Sequence, residues 1–156
     1  MPLSGTIIIC DQVYPTSGGK YVLAGTYTAL EVHVRDLRRI DFRLQPLNAY
    51  VRVRPEATGP LKLQVRLRDE QQPPWEAPMV TINLEAQIDA RSIRLFECPV
   101  TIPPFGIQVT GGDHAAASGR LELRYAVELL HQGELITSAP LDLRFIAAAV
   151  EPRAGT

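Results

Sequence analysis

The sequence predicts an all-β protein, a single antiparallel β-sandwich of eight to nine strands, immunoglobulin-like or C2-like. Three observations carry this expectation. Apolar and polar residues alternate with period two along most of the chain, the pattern of strands with one buried face. The 13 prolines and 11 glycines fall mostly between these runs, where turns belong. No segment places apolar residues at i, i+3, i+4 and i+7 over three turns, as a buried helix face requires.

The first strand is read over residues 5 to 10, "GTIIIC", with Asp11 ending it and "PTSGG" forming the turn. The chain returns in "KYVLAGTY", the start of a strand over residues 20 to 33. The nearest approach to a helix is "EVHVRDLRRIDF", residues 31 to 42, where Val34, Leu37 and Ile40 line a short face. Strands follow over 47 to 54 and 61 to 69, joined by "PEATGP" as a hairpin. In the second of these, Leu61, Leu63, Val65 and Leu67 point one way while Lys62, Gln64, Arg66 and Arg68 point the other. Further strands are expected over 78 to 87, 93 to 102 and 105 to 110. The last pair, 120 to 131 and 134 to 146, is joined by "HQGE" with Gly133 in the tight turn.

The 156 residues make one domain over 1 to 150, followed by a flexible tail over 151 to 156. Cys10 and Cys98 have neither C-x-x-C nor zinc spacing, and "MPLSGTIIIC" lacks the basic and apolar regions of a signal peptide. These features predict a cytoplasmic protein with reduced thiols. A Cys10 to Cys98 disulfide would need an oxidising compartment. Apolar runs such as "FIAAAV" fall well short of a membrane span. A net charge of −1 creates no global field toward nucleic acid or anionic lipid.

The segments "GKYVLAGTYTAL", "PPFGIQVTGG" and "SGRLELRYAVELLHQGELITSAPLDL" give the chain a resemblance to an uncharacterised family of small bacterial β-sandwich proteins, domains of unknown function. Gly19, Lys20, Leu23, Gly25 and Tyr27 fit that family's early strand pattern. Gly119, Leu121, Leu123, Tyr125, Gly133 and Leu135 fit its late hairpin, with Leu121 and Leu123 in place of aromatics. The resemblance implies a fold and no activity.

Several constellations invite a chemical reading. "TSGGKY" lacks the upstream glycine and the hydroxyl ligand of a phosphate loop, and a strand follows it, so it reads as a turn. Cys10 and Cys98 lie in apolar runs, and His33, His114 and His131 have no sequence relation to Cys10 that implies a catalytic dyad. Asp11, Glu56, Asp89 and Asp113, with His114 beside the last, would meet at one pole if strands simply alternate. Each stands alone in its turn, whereas calcium loops draw several oxygens from one segment. A carboxylate pair for glycoside hydrolysis uses the same residues without an aromatic platform.

Two surfaces stand out. Arg52, Arg54, Lys62, Arg66 and Arg68, with Tyr50, project from the outer side of the "PEATGP" hairpin, and "RDLRRIDFR" adds more arginines. Like charges across a sheet need compensation, from Glu122 and Glu128 on a later strand or from a partner. Stacking aromatics for single-stranded nucleic acid are nearly absent. In "DEQQPPWEAP" the single tryptophan, Trp75, stands between prolines in an exposed connection, as an interface anchor or as a lid folded back over a sheet edge. The expectation is a module that is not an enzyme and needs neither cofactor nor metal. Its partner is another protein or a second copy of itself, contacted through Trp75, Tyr50 and the five basic residues. The rival readings are an anionic ligand or nucleic acid on the arginine face, and a calcium or hydrolytic site at the acidic pole.

Overall fold

The computed structural model describes residues 3–110 and 112–148; the expected tail over 151–156 lies outside the described residues. Within them the chain is mostly β, with eleven strands in three sheets and one short helix. Sheet A has the order β2-β1-β5-β8, formed by Tyr21–Thr26, Ser4–Pro15, Leu47–Arg54 and Phe96–Ile102. Sheet B has the order β3-β11-β10-β6-β7, formed by Ala29–Val34, Glu134–Ala147, Arg120–His131, Gly59–Asp69 and Val80–Ile88. Sheet C is the pair β4, Ile40–Leu44, and β9, Phe105–Val109.

Period-two alternation decides which residues face inward. Ile7 and Ile9 of β1 pair with Val51 and Ala49 of β5, and these pair in turn with Cys98 and Val100 of β8. From the other sheet, Leu63, Val65 and Leu67 meet Val127, Leu129, Leu141, Leu143 and Phe145 in the same contiguous core. The inner faces of sheets A and B thus share one apolar interior, and burial of those side chains is the main favourable term holding the sheets together.

Sheet C arises from proline interruption. Leu44 pairs with Phe105, and Leu47 pairs with Ile102 in the same register, so β4–β5 and β8–β9 form one long antiparallel ribbon. Gln45-Pro46 on one side and Pro103-Pro104 on the other break it at the same level. Proline has no N–H for the ladder, so the ribbon bends there instead of continuing flat. Beyond the bend, Phe42 meets Phe145 edge-on at 5.7 Å and Phe105 meets Tyr125 at 5.9 Å, so the ribbon that begins in sheet A ends against β10 and β11 of sheet B.

Five expectations need correction. The strand over 20 to 33 is two strands in different sheets: the Tyr27 N–H donates to the Ile9 carbonyl in sheet A at 3.2 Å, while the Thr28 carbonyl accepts from Asp142 N–H in sheet B at 2.9 Å. β3 then runs parallel to β11, so the fold is not purely antiparallel. "PEATGP" is not a hairpin turn, because β5 belongs to sheet A and β6 to sheet B; local turn residues reverse the chain without choosing its next neighbour. The candidate helix over 31 to 42 is the end of β3, a bend and the start of β4, and the strand count is eleven, above the eight or nine expected. The one helix, α1, is the alanine-rich Gly112–Ser118, closed by Gly119 at φ 70° with its N–H on the Ala115 carbonyl at 3.0 Å.

Both expected turns at the chain ends form. Gln132 and Gly133, at φ 51° and 83°, supply the two positive angles of the tight turn between β10 and β11. "TSGG" closes β1 on β2, with Thr16 N–H donating to the Lys20 carbonyl at 2.8 Å and Gly19 at φ 71°.

Candidate functional site

The topology splits the expected arginine face. Tyr50, Arg52 and Arg54 lie on the outer side of sheet A, and Lys62, Arg66 and Arg68 on the outer side of sheet B, so the six residues form no single surface. Most are also engaged. Arg52 is 3.3 Å from Glu97, its direct neighbour on β8, and Tyr50 donates its hydroxyl to the same carboxylate. On sheet B, Glu128 sits opposite Arg66 in the register and holds it at 2.9 Å, with Arg68 at 3.7 Å. Glu128 is the buried charged residue of the described chain, at 9% exposure. A carboxylate so placed is tolerable because two guanidiniums neutralise it. Lys62 pairs loosely with Glu85 at 3.8 Å, both exposed.

Of the two acids expected to compensate the arginines, Glu128 does so for Arg66 and Arg68, whereas Glu122 serves Arg120 and Arg144 at 3.1 and 3.9 Å. Glu97 was missed as a partner, although its alternation with Phe96 and Cys98 already puts it on the outer face.

Tyr50 is buried although it lies on the outer side of sheet A. The β1–β2 arm explains this. Tyr21 pairs with Pro15, seven residues beyond the Ile8 that pairs with Tyr50; along a straight strand that is roughly 23 Å. Yet the Tyr21 and Tyr50 rings are 5.5 Å apart, so the arm curls back over β5. Gly25 lies within the curl at φ 67°, and a Cβ built on it would fall 2.2 Å from Asp11 Oδ2. Burial first, then the hydrogen bond to Glu97, pushes the Tyr50 phenol up to about 12.

Cys10 is fully buried and pairs with Asn48 on the outer side of sheet A, while Cys98 faces the core on the inner side. Opposite faces of one sheet rule out a bond between them at this geometry. Both thiols are pushed up, Cys10 by burial and then by the Asp11 carboxylate, so neither has the environment of an activated nucleophile.

The acidic residues do not converge. Asp11 lies within β1 beside Gly25, Asp89 accepts the backbone N–H of Arg91 in its own loop at 3.0 Å, and Asp113 stands on α1, 3.6 Å from Arg38. Among the described residues no group of three or more His, Cys, Asp or Glu is arranged to hold a metal ion. His131 Nδ1 donates to the Lys62 carbonyl at 3.0 Å, at the rim of a cleft of about 350 Å³ between the β5–β6 link and the β10–β11 turn.

Trp75 remains open. It sits in the β6–β7 connection, within a turn closed by the Glu76 N–H on the Pro73 carbonyl at 3.0 Å, and is 82% exposed. The lid reading is therefore corrected: the indole does not fold back over a sheet edge. Met79, four residues on, is also exposed at 41%. Among the described residues no helix is long and apolar enough to cross a membrane.

No known protein family matches the chain, and no curated protein matches it in sequence. Among solved structures it is similar to the N-terminal domain of PorA, at a TM-score of 0.34 and 7% identity over 91% of this chain and 97% of that one. A likeness at that level assigns neither family nor function. The resemblance to the small bacterial β-sandwich proteins rests on the strand and turn motifs alone.

Proposed function

We propose that the protein is a non-catalytic binding or assembly module, built on a sandwich-like packing of its two larger sheets, which contacts another protein through the Trp75 connection. The observation that carries this reading is the 82% exposure of the single tryptophan, in a turn flanked by prolines. A rigid aromatic presented in this way loses little conformational freedom on docking and brings a large apolar area, the combination typical of interface anchors. Met79 extends the apolar contact. The pairing of Arg52, Arg66 and Arg68 with Glu97 and Glu128 weighs against a free anion-binding face.

The test is Trp75→Ala in affinity capture from the native host, with melting temperature measured in parallel. Loss of the proteins retained by the unmodified chain, with an unchanged melting temperature, is the expected result. Unchanged retention would overturn the proposal, and so would a large drop in melting temperature, because the side chain would then be packed.

A further inference from the structure

The edges of the three sheets are not equally protected. β2 curls at Gly25, β8 carries Pro99, β3 has six residues, and the strands of sheet C have five each. β7 differs. Its nine residues, "VTINLEAQI", contain neither proline nor glycine and only one charge, and its far side has no strand neighbour among the described residues. Of its inward side chains, Val80, Ile82, Leu84 and Ala86 stay half-exposed and only the terminal Ile88 is buried, whereas the facing Leu61, Leu63, Val65 and Leu67 of β6 are buried. A long, half-covered edge of this kind is a template for another strand.

We propose that β7 pairs antiparallel with β7 of a second copy, joining the two five-stranded sheets into one across a two-fold axis at Leu84. Two features select a second copy. The first is the register. A two-fold perpendicular to the sheet keeps inward residues opposite inward residues, so the axis must pass through a residue and not between two. Placed at Leu84, the middle of the strand, it pairs all nine residues: Ile82 with Ala86 inside, Asn83 with Glu85 outside, and no like charges directly opposed.

The second feature is charge. The segment before β7 carries Glu70 and Glu76, with Asp69 at the end of β6, and no basic residue, while the segment after it carries Arg91 and Arg94 beside Asp89. Asp89 is occupied by its own loop, and among the described residues Glu70, Glu76, Arg91 and Arg94 hold no ion pair. Antiparallel pairing lays the acidic flank of each copy beside the basic flank of the other, a complementarity that steers association and fixes its direction. The interface does not require Trp75 to be an anchor, so it stands or falls separately from the reading above.

Sedimentation velocity of the full chain, from low micromolar to near-millimolar concentration, tests this with two substitutions at exposed Asn83. The unmodified chain is expected to pass from monomer to dimer. Asn83→Glu opposes Glu85 of the other copy twice per dimer and raises the concentration of half-association about tenfold, while Asn83→Lys lowers it by a similar factor. Trp75→Ala leaves it unchanged. An unmodified chain that stays monomeric, an assembly larger than a dimer, or an association that the two Asn83 variants do not shift in opposite directions would overturn the proposal. Because Asn83 is exposed on the outer face and its side chain accepts a hydrogen bond from Gln64 at 3.1 Å, both variants should fold, and a melting curve checks that they do.

Discussion

Replacing Gly25 by alanine perturbs the point at which the β1–β2 arm bends over sheet A. Two costs combine there. A side chain at φ 67° meets the steric penalty of the left-handed region, about 1–2 kcal/mol. The added Cβ also lies 2.2 Å from Asp11 Oδ2, 2.8 Å from Cγ and 3.1 Å from Cβ, so the exposed Asp11 side chain must swing into a poorer rotamer, at about 0.5–1.5 kcal/mol. The total of about 1.5–3.5 kcal/mol lowers the melting temperature by roughly 3–14 °C for a chain of this size. Urea unfolding measures it, with an unchanged denaturant slope showing that the same surface is exposed. Asp11→Ala added to Gly25→Ala restores the second part alone, because the Asp11 carbonyl that accepts from Asn48 is untouched. As the arm loosens, Cys10, fully buried beneath it, becomes titratable by a thiol reagent in the folded state. A Gly25→Ala protein within 0.5 kcal/mol of the original, or complete rescue by Asp11→Ala, would refute the account of a backbone held in the left-handed region.

Two further outcomes follow from the same geometry. Glu128→Gln leaves Arg66 and Arg68 facing each other across a neutral group, and is expected to cost about 1–3 kcal/mol, less than a fully buried pair because both guanidiniums reach solvent; an unchanged urea midpoint would contradict it. Tyr27, Tyr50 and Tyr125, each driven mainly by burial, have phenols pushed up to about 12. Their folded values exceed the unfolded one, so the stability they contribute is complete below about pH 10 and is lost as pH rises toward 12. Ultraviolet titration should show these three of the five tyrosines ionising late, together with alkaline unfolding; all five ionising near pH 10 in a folded protein would be inconsistent with this.

The strands were legible in the sequence wherever alternation ran long enough, as in Leu61 to Leu67 and Leu121 to Leu129. Their partners were not, since the residues of "PEATGP" specify a reversal and say nothing about whether β6 returns to β5 or crosses to β10. The split at Tyr27 and Thr28 left no mark on the apolar pattern because both halves are β; only the competing ladders of β1 and β11 decide it. For the short α1, the run of alanines between Gly112 and Gly119 was the available signal, too brief to show helical periodicity. The arginine surface failed for the same topological reason, and the residues around Trp75 left anchor and lid both open, because its exposure depends on where the β6–β7 connection lies against the sheets.

The position of β11 has a consequence for how the chain acquires its structure. This strand lies between β3 and β10, and so joins Ala29–Val34 to segments about a hundred residues further along the chain. During synthesis, sheet B therefore cannot close until β11 has emerged from the ribosome, and β3 must wait without its partner meanwhile. A topology with such distant pairings folds slowly and leaves apolar strand edges open for longer. Truncation before β11 would remove more than one strand's worth of structure: it would separate β3 from β10 and leave no route to the native sheet.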